Sequence, residues 1–294
     1  MEEPRADILE AAHALFLEQG YSQTTIQELA DRVGISKGAV YLHFRSKNDV
    51  FTTLLRDLEQ RVMDRVLELH EREDLDPLEK LREQLRLQFS EVREQKMLFE
   101  HCLQDAQIAL DEELSLIAQK GRVDWQTMQE TFVRDAFPEL DGAAVTELAV
   151  CLNGALNEYY TYVLLEGAEV DPDAVANLLV TLASPMAAAL GQLEPLPVLD
   201  RSALSSREEI EGRLQALSEE RVEQALVELE QHAGDAPASD RAEILETVEA
   251  LRHTLAQKSP SRIVLQGLVA NLREWKGLAG PRKTLAHELG LKLV

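Results

Sequence analysis

The chain has 294 residues, 45% of them hydrophobic and 5% aromatic, with 53 acidic and 30 basic side chains for a formal net charge of −23. Such length and apolar content exclude wholesale disorder, and the scarcity of aromatics beside abundant Leu, Ala and Glu favours helices over sheets. A protein this acidic repels phosphate at long range, so any nucleic-acid binding must rest on a local surface and depend steeply on salt.

Cys102 and Cys151 lack CxxC spacing and sit in helical-looking apolar stretches, which fits a reducing compartment. The opening "MEEPRADILEAAHALF" carries acids where a signal peptide needs basic residues, and no apolar run is read as approaching the roughly eighteen residues that span a bilayer. The expectation is a cytoplasmic protein with no membrane partner.

In chain order, Ile8, Leu9, Ala12, Leu15 and Phe16 recur at helical spacing from Arg5 to Gln19, and Gly20 stops this first helix. Thr25 and Glu28 have capping-box spacing at the start of a second helix, which Gly34 ends. Ile35 follows as an apolar plug, and Ser36 caps a short third helix to about Leu42. Two short helices with so tight a connection form a helix-turn-helix. Ser46 and Asp49 repeat the cap-plus-acid pattern ahead of a long amphipathic helix carrying Phe51, Leu54, Leu55, Leu58, Val62, Val66 and Leu69.

Further helices are predicted at about 76–94, 96–106, 110–135, 141–166 and 171–190, punctuated by Asp76-Pro77, Pro138, Asp141-Gly142 and Asp171-Pro172. Pro185 is expected to kink the last of these or end it early. After the linker "LEPLPVLDRSALSS", helices are predicted at about 206–232, 240–257 and 261–276, with Ile244, Val248, Leu251 and Leu255 forming the seam of a packed helix pair. The expected organisation is all-α, with an N-terminal helix-turn-helix domain at 1–48, a helical ligand-binding and dimerisation domain at 49–194, and a C-terminal helical extension at 195–294.

The segment "GISKGAVYLHFRSK" holds Lys37, Arg45 and Lys47 and no acid. A helix-turn-helix lays its second helix in the major groove. Gly38 and Ala39 permit close approach, Lys37 reaches a base or phosphate, and Tyr41, His43 and Lys47 can donate to phosphate oxygens, with Thr25 offering a further hydroxyl. An apolar set of Phe16, Leu29, Ala30, Val33, Ile35, Val40 and Phe44 would close a three-helix core behind that face.

The stretch from about Ala6 to Leu58 resembles the N-terminal domain of TetR-type transcriptional regulators. The Gly20-Tyr21 turn, the Thr-Thr-Ile start of the second helix, "GISKGAVYLHF" and the following Ser-Lys match together and in order. The resemblance implies an all-α homodimer that binds a pseudopalindromic double-stranded operator, usually as a repressor, and is released by a small molecule. By position it makes Thr25, Ser36, Lys37, Gly38, Ala39, Tyr41, His43 and Lys47 the DNA-contact residues. It also places a four-helix dimer interface on the helices near 141–166 and 171–190, with Val145, Leu148, Leu152, Leu156, Leu178, Leu182, Met186 and Leu190 as apolar candidates.

Pocket candidates are Glu100, His101 and Cys102 on one helix and Asn153, Asn157, Glu158 and Tyr162 on another. Few aromatics suggest an aliphatic or acyl effector, whereas residues 61–195, with 27 acidic against 11 basic side chains, would suit a cation. No cofactor or metal is expected. The extension could cover the ligand domain, strengthen the dimer or bind another protein, and Trp275 with "GPRKT" could form a contact site, although a packed aromatic and a basic surface loop is the commoner case. No HExxH, GxSxG or Walker loop supports an enzyme. The rival reading is a helical interaction scaffold with lost or weak operator binding.

Overall fold

The structure is a computed structural model; it describes residues 4–94, 111–193, 198 and 205–291. These residues fold into helices α1 (Pro4–Gln19), α2 (Ile26–Val33), α3 (Lys37–His43), α4 (Lys47–Glu71), α5 (Pro77–Glu94), α6 (Glu112–Ala136), α7 (Gly142–Leu165), α8 (Pro172–Leu190), α9 (Arg207–Asp235), α10 (Ala238–Leu255), α11 (Arg262–Asn271) and α12 (Ala279–Glu288). Two short 3₁₀ turns, Leu272–Glu274 and Lys276–Leu278, join the last two, and among the described residues there is no strand. The all-α expectation holds. The expected helix at 96–106, with Glu100, His101 and Cys102, lies outside the described residues.

Aspartates punctuate the middle of the chain because their short carboxylates satisfy first-turn amides. Asp76 and Glu79 exchange bonds with each other's amides at 2.8 and 3.0 Å, Asp111 accepts from Leu114 N at 2.9 Å, and Asp141 accepts from Ala144 N at 2.8 Å. Asp171 caps α8 with Pro172 in its first turn, where the missing N–H has no helical partner to lose. Helix α8 does not end at Pro185 but runs on to Leu190. Against the expectation of no bilayer-length apolar run, α8 is long and apolar enough by composition, with mean hydropathy 1.5 in an 18-residue window. Asp173 is its one charged residue, and Asn, Thr and Ser lower the average too little to break the run.

The chain packs as two compact units. One comprises the described residues of 13–24 and 52–211. Its core is built from Leu81, Leu85 and Phe89 of α5, Phe132 and Val133 of α6, Leu148, Leu152 and Leu156 of α7, and Val175, Leu179 and Ala183 of α8. Val145, Leu148, Leu152 and Leu156, expected at a dimer interface, are therefore spent inside the chain, at no more than 1% exposure. Helix α8 behaves differently: Leu178 and Leu182 remain 43% and 45% exposed.

The other unit joins residues 4–12 and 25–51 to residues 212–291, so the start of the chain and most of the extension are packed together. Within the extension, Leu226 and Leu229 of α9, Ile244, Val248 and Leu251 of α10, Leu265 and Val269 of α11, and Leu285 of α12 form one core, with Leu255 and Trp275 at its margin. The expected seam of α10 is thus buried. "GPRKT" is helix rather than loop, because Pro281 occupies the first turn of α12, where an amide would have had no partner.

Candidate nucleic-acid interface

Helix α2 begins with the expected capping box. Thr25 Oγ1 accepts from Glu28 N at 3.2 Å, and Glu28 Oε2 accepts from Thr25 N and from the Thr25 hydroxyl, both at 2.8 Å. A phosphate that takes the Thr25 hydroxyl must therefore displace a carboxylate. At the other end, Gly34 is left-handed (φ 77°) and the Ile35 amide reaches back to the Ala30 carbonyl at 2.9 Å, a Schellman closure that only glycine enters without strain. Gly34, Ile35 and Ser36 are the whole connection, and Ser36 Oγ then accepts from Ala39 N at 3.1 Å to start α3.

Phe16, Leu29, Ala30, Val40 and Phe44 are buried as expected, while Val33 and Ile35 are half-buried. Burying Val40 and Phe44 fixes the rotation of α3, since residues four apart share a face. The Arg5 guanidinium lies over the Phe44 ring at 5.3 Å. With that face committed, Thr25, Ser36, Lys37 and Gly38 are exposed, and Ala39, Tyr41, His43 and Lys47 are half-buried. The entry turn of α3 thus presents one cation, one hydroxyl and bare backbone, the equipment for contacting phosphates and base edges.

A buried polar network lies at the far end of α3. Ser46 Oγ accepts from Asp49 N at 3.1 Å, and Asp49 Oδ2 accepts from Arg45 N at 2.8 Å. Asp49 also pairs with the Arg45 guanidinium (3.5 Å) and with His287 Nε2 of α12 (2.9 Å). Burial alone would push the Asp49 carboxyl up, but the His287 hydrogen bond and charge, with those of Arg45, outweigh it and hold the group below its ordinary 3.8. Arg45 further pairs with Glu288, which also takes the Ser218 hydroxyl (2.6 Å) and Arg221 (3.5 Å). Sequence reading treated Arg45 as one more cation of the acid-free stretch and missed this anchorage. Its partner lies 243 residues away, beyond any spacing rule.

In the other unit, Asn153 points inward and donates to Gln126 Oε1 at 2.9 Å, while Asn157, Glu158 and Tyr162 are exposed on α7, where Tyr162 is hydrogen-bonded to Glu158. The structure thus does not bring the α7 candidates together on one face. Asn153 Oδ1 is buried there without a partner, and so are polar atoms that sequence reading did not single out: both ends of the Gln129 amide, Gln84 Oε1 and the Tyr160 hydroxyl. Phe89 stacks on Tyr160 at 5.4 Å, and burial pushes the Tyr160 phenol well above its ordinary 10. Among the described residues, no three His, Cys, Asp or Glu side chains are grouped to hold a metal ion.

Residues 8–54 match the family described as bacterial regulatory proteins, tetR family. Along almost its full length the chain is 24% identical to the uncharacterized HTH-type transcriptional regulator YuxN of Bacillus subtilis (strain 168), over 98% of each chain, so the extension is shared with that relative. The HTH-type transcriptional regulator AcrR of Shigella flexneri is 38% identical over 82 residues, 28% of this chain and 38% of AcrR. A TetR transcription regulator from Haloarcula marismortui shares the fold at TM-score 0.53 and 21% identity, over 64% of this chain and 98% of its own. These relatives are transcriptional regulators rather than enzymes, and the likeness to the tetR family lies in residues 8–54, the stretch that holds most of α1, all of α2 and α3 and the start of α4.

Proposed function

We propose that this regulator is a ligand-responsive repressor that binds a pseudopalindromic operator as a homodimer and releases it on taking up a small, largely apolar effector. Residues 1–48 read DNA, 49–194 bind the effector and dimerise, and the work is done in the cytoplasm, where the DNA is. The observation that carries this reading is the entry turn of α3: Ser36, Lys37 and Gly38 stand exposed beside Thr25, in front of a closed core of Val40 and Phe44. In a chain of net charge −23, a surface with Lys37 and Lys47 is where a polyanion can settle.

Support for the dimer comes from α7 and α8. Tyr162 and Leu165 are exposed on α7 at 40% and 68%, and Leu178 and Leu182 on α8, a rim of apolar surface left uncovered in the single chain. One reading helix covers only a few base pairs, whereas two related by an axis span successive major grooves. Support for an effector comes from the unpartnered polar atoms of Gln84, Gln129, Asn153 and Tyr160, since buried polar groups ordinarily find partners. Set among Leu81, Leu85, Phe89 and Phe132, they suit a mostly aliphatic molecule with a few polar groups. Helix α4 is the lever, because its first turn belongs to the unit of the reading helix and the remainder to the other. Only an effector that prefers one arrangement over the other can shift the balance.

The test is titration of the full-length protein with a duplex selected from a randomised pool, at salt concentrations between about 50 and 200 mM. Binding should fall steeply with salt. Lys47→Ala should weaken selected and unrelated duplexes alike, and Lys37→Ala should change sequence preference, each costing about 1–3 kcal/mol. Binding that ignores both changes would refute the assigned face.

A further inference from the structure

Side chains of α12 reach Tyr41 of α3 and, just beyond it, Arg45 and Asp49, and α12 brings cations with it. The Lys283 ammonium sits over the Tyr41 ring, 5.1 Å from its centroid. Arg282, the preceding residue, has Nε and Nη1 buried without a hydrogen-bond partner, beside the like charge of Arg273. Among the described residues no carboxylate pairs with Lys283, Arg282 or Arg273, although the chain carries 53 acids. The one acid of α12, Glu288, is turned to the anchoring network, at 6% side-chain exposure between Arg45 and Arg221.

This arrangement decides between two uses of a segment placed beside a reading helix. One that occludes the helix competes with phosphate, and it does so with carboxylates over the cationic and hydroxyl groups. Here the opposite holds. The group offered at Tyr41 is an ammonium, the acid is withdrawn into the anchor, and the entry turn with Ser36, Lys37 and Gly38 stays exposed. An aromatic face beneath an ammonium restrains it while leaving its N–H groups to donate outward.

We propose that α12 is part of the DNA-binding surface: Lys283, held on the Tyr41 ring, takes the same phosphate backbone as the Tyr41 hydroxyl, and Arg282 and Arg273 extend the contact to the neighbouring phosphate. The extension thereby widens the footprint of each reading head in a sequence-independent way. This rests on the reading of α3 as the DNA-contacting helix.

The experiment compares full-length wild type with Lys283→Gln, Arg282→Gln/Lys283→Gln and Lys37→Ala, on a duplex selected by wild type and on an unrelated one, with thermal melts establishing that each variant is folded. The expected result is a several-fold loss for Lys283→Gln on both duplexes and a salt slope shallower by about 1 per subunit, with a larger loss for the double variant and rescue by Lys283→Arg. An unchanged slope and affinity for Lys283→Gln and the double variant, with Lys37→Ala still impaired, overturns the proposal and leaves the reading of α3 standing. Tighter binding by Lys283→Gln also overturns it, making α12 an occluding segment. Absence of wild-type binding to any duplex at low salt overturns both.

Discussion

Asp49 shows how much one side chain can carry. Sequence spacing assigns it to a cap, and it keeps that task, but it also accepts from Arg45 N and pairs with His287 while almost wholly buried. Its folded carboxyl is held below the ordinary value, so the stabilisation it supplies is present above about 3.8 and is lost as pH falls through the lower folded value. Asp49→Asn should therefore cost about 1–3 kcal/mol at neutral pH, the range for losing charged buried hydrogen bonds, and should flatten the acid limb of a stability–pH curve. Denaturant melts from neutrality to below pH 4 measure both effects, and an unaltered acid limb would exclude this role. Thr25 and Ser36 were legible as caps because the spacing of hydroxyl, acid and amide is local. The second duty of Asp49 was not, because it is set by residues near the other end of the chain.

At the scale of elements, the boundaries follow the Asp, Ser, Thr and Pro signals closely, since caps act within one helical turn. Which face of each helix is buried was less legible. Val145, Leu148, Leu152 and Leu156 have the periodicity of an interface and that of a core, and periodicity cannot tell them apart. The structure spends them on the core of their own unit and leaves Leu178 and Leu182 of α8 outside. If that stripe joins two copies, Leu178→Glu/Leu182→Glu should convert the dimer to monomer in sedimentation velocity with little change in the melting of the fold, because the two positions are 43% and 45% exposed in the single chain. A dimer that persists would move the interface elsewhere. The segment "GPRKT" was misjudged for a related reason: Pro and Gly advertise a turn, but at a helix start the missing amide costs nothing.

For the whole molecule, the extension is the feature that reshapes the account. Its own core is complete, yet it is packed in one unit with the start of the chain, where Glu288 neutralises Arg45 and Arg221 in a half-buried setting. Glu288→Gln keeps an acceptor for Ser218 but leaves two guanidinium groups without their shared charge. It should destabilise the protein by about 1–3 kcal/mol in denaturant unfolding. A neutral outcome would mean that the apolar packing alone holds the extension to the head.

The sequence by itself determined the helical class, the position of nearly every described helix and the caps and turn that join α2 to α3. All of these rest on interactions within a few residues of one another: capping bonds, helical periodicity and the left-handed Gly34 that shapes the connection. Only the tertiary structure decided that Lys283 of the last helix meets Tyr41 of α3 and that Arg45 is anchored by Glu288. Those pairings join residues more than two hundred positions apart, and each is fixed by how apolar faces pack together, for which a linear pattern holds the ingredients but not the partners.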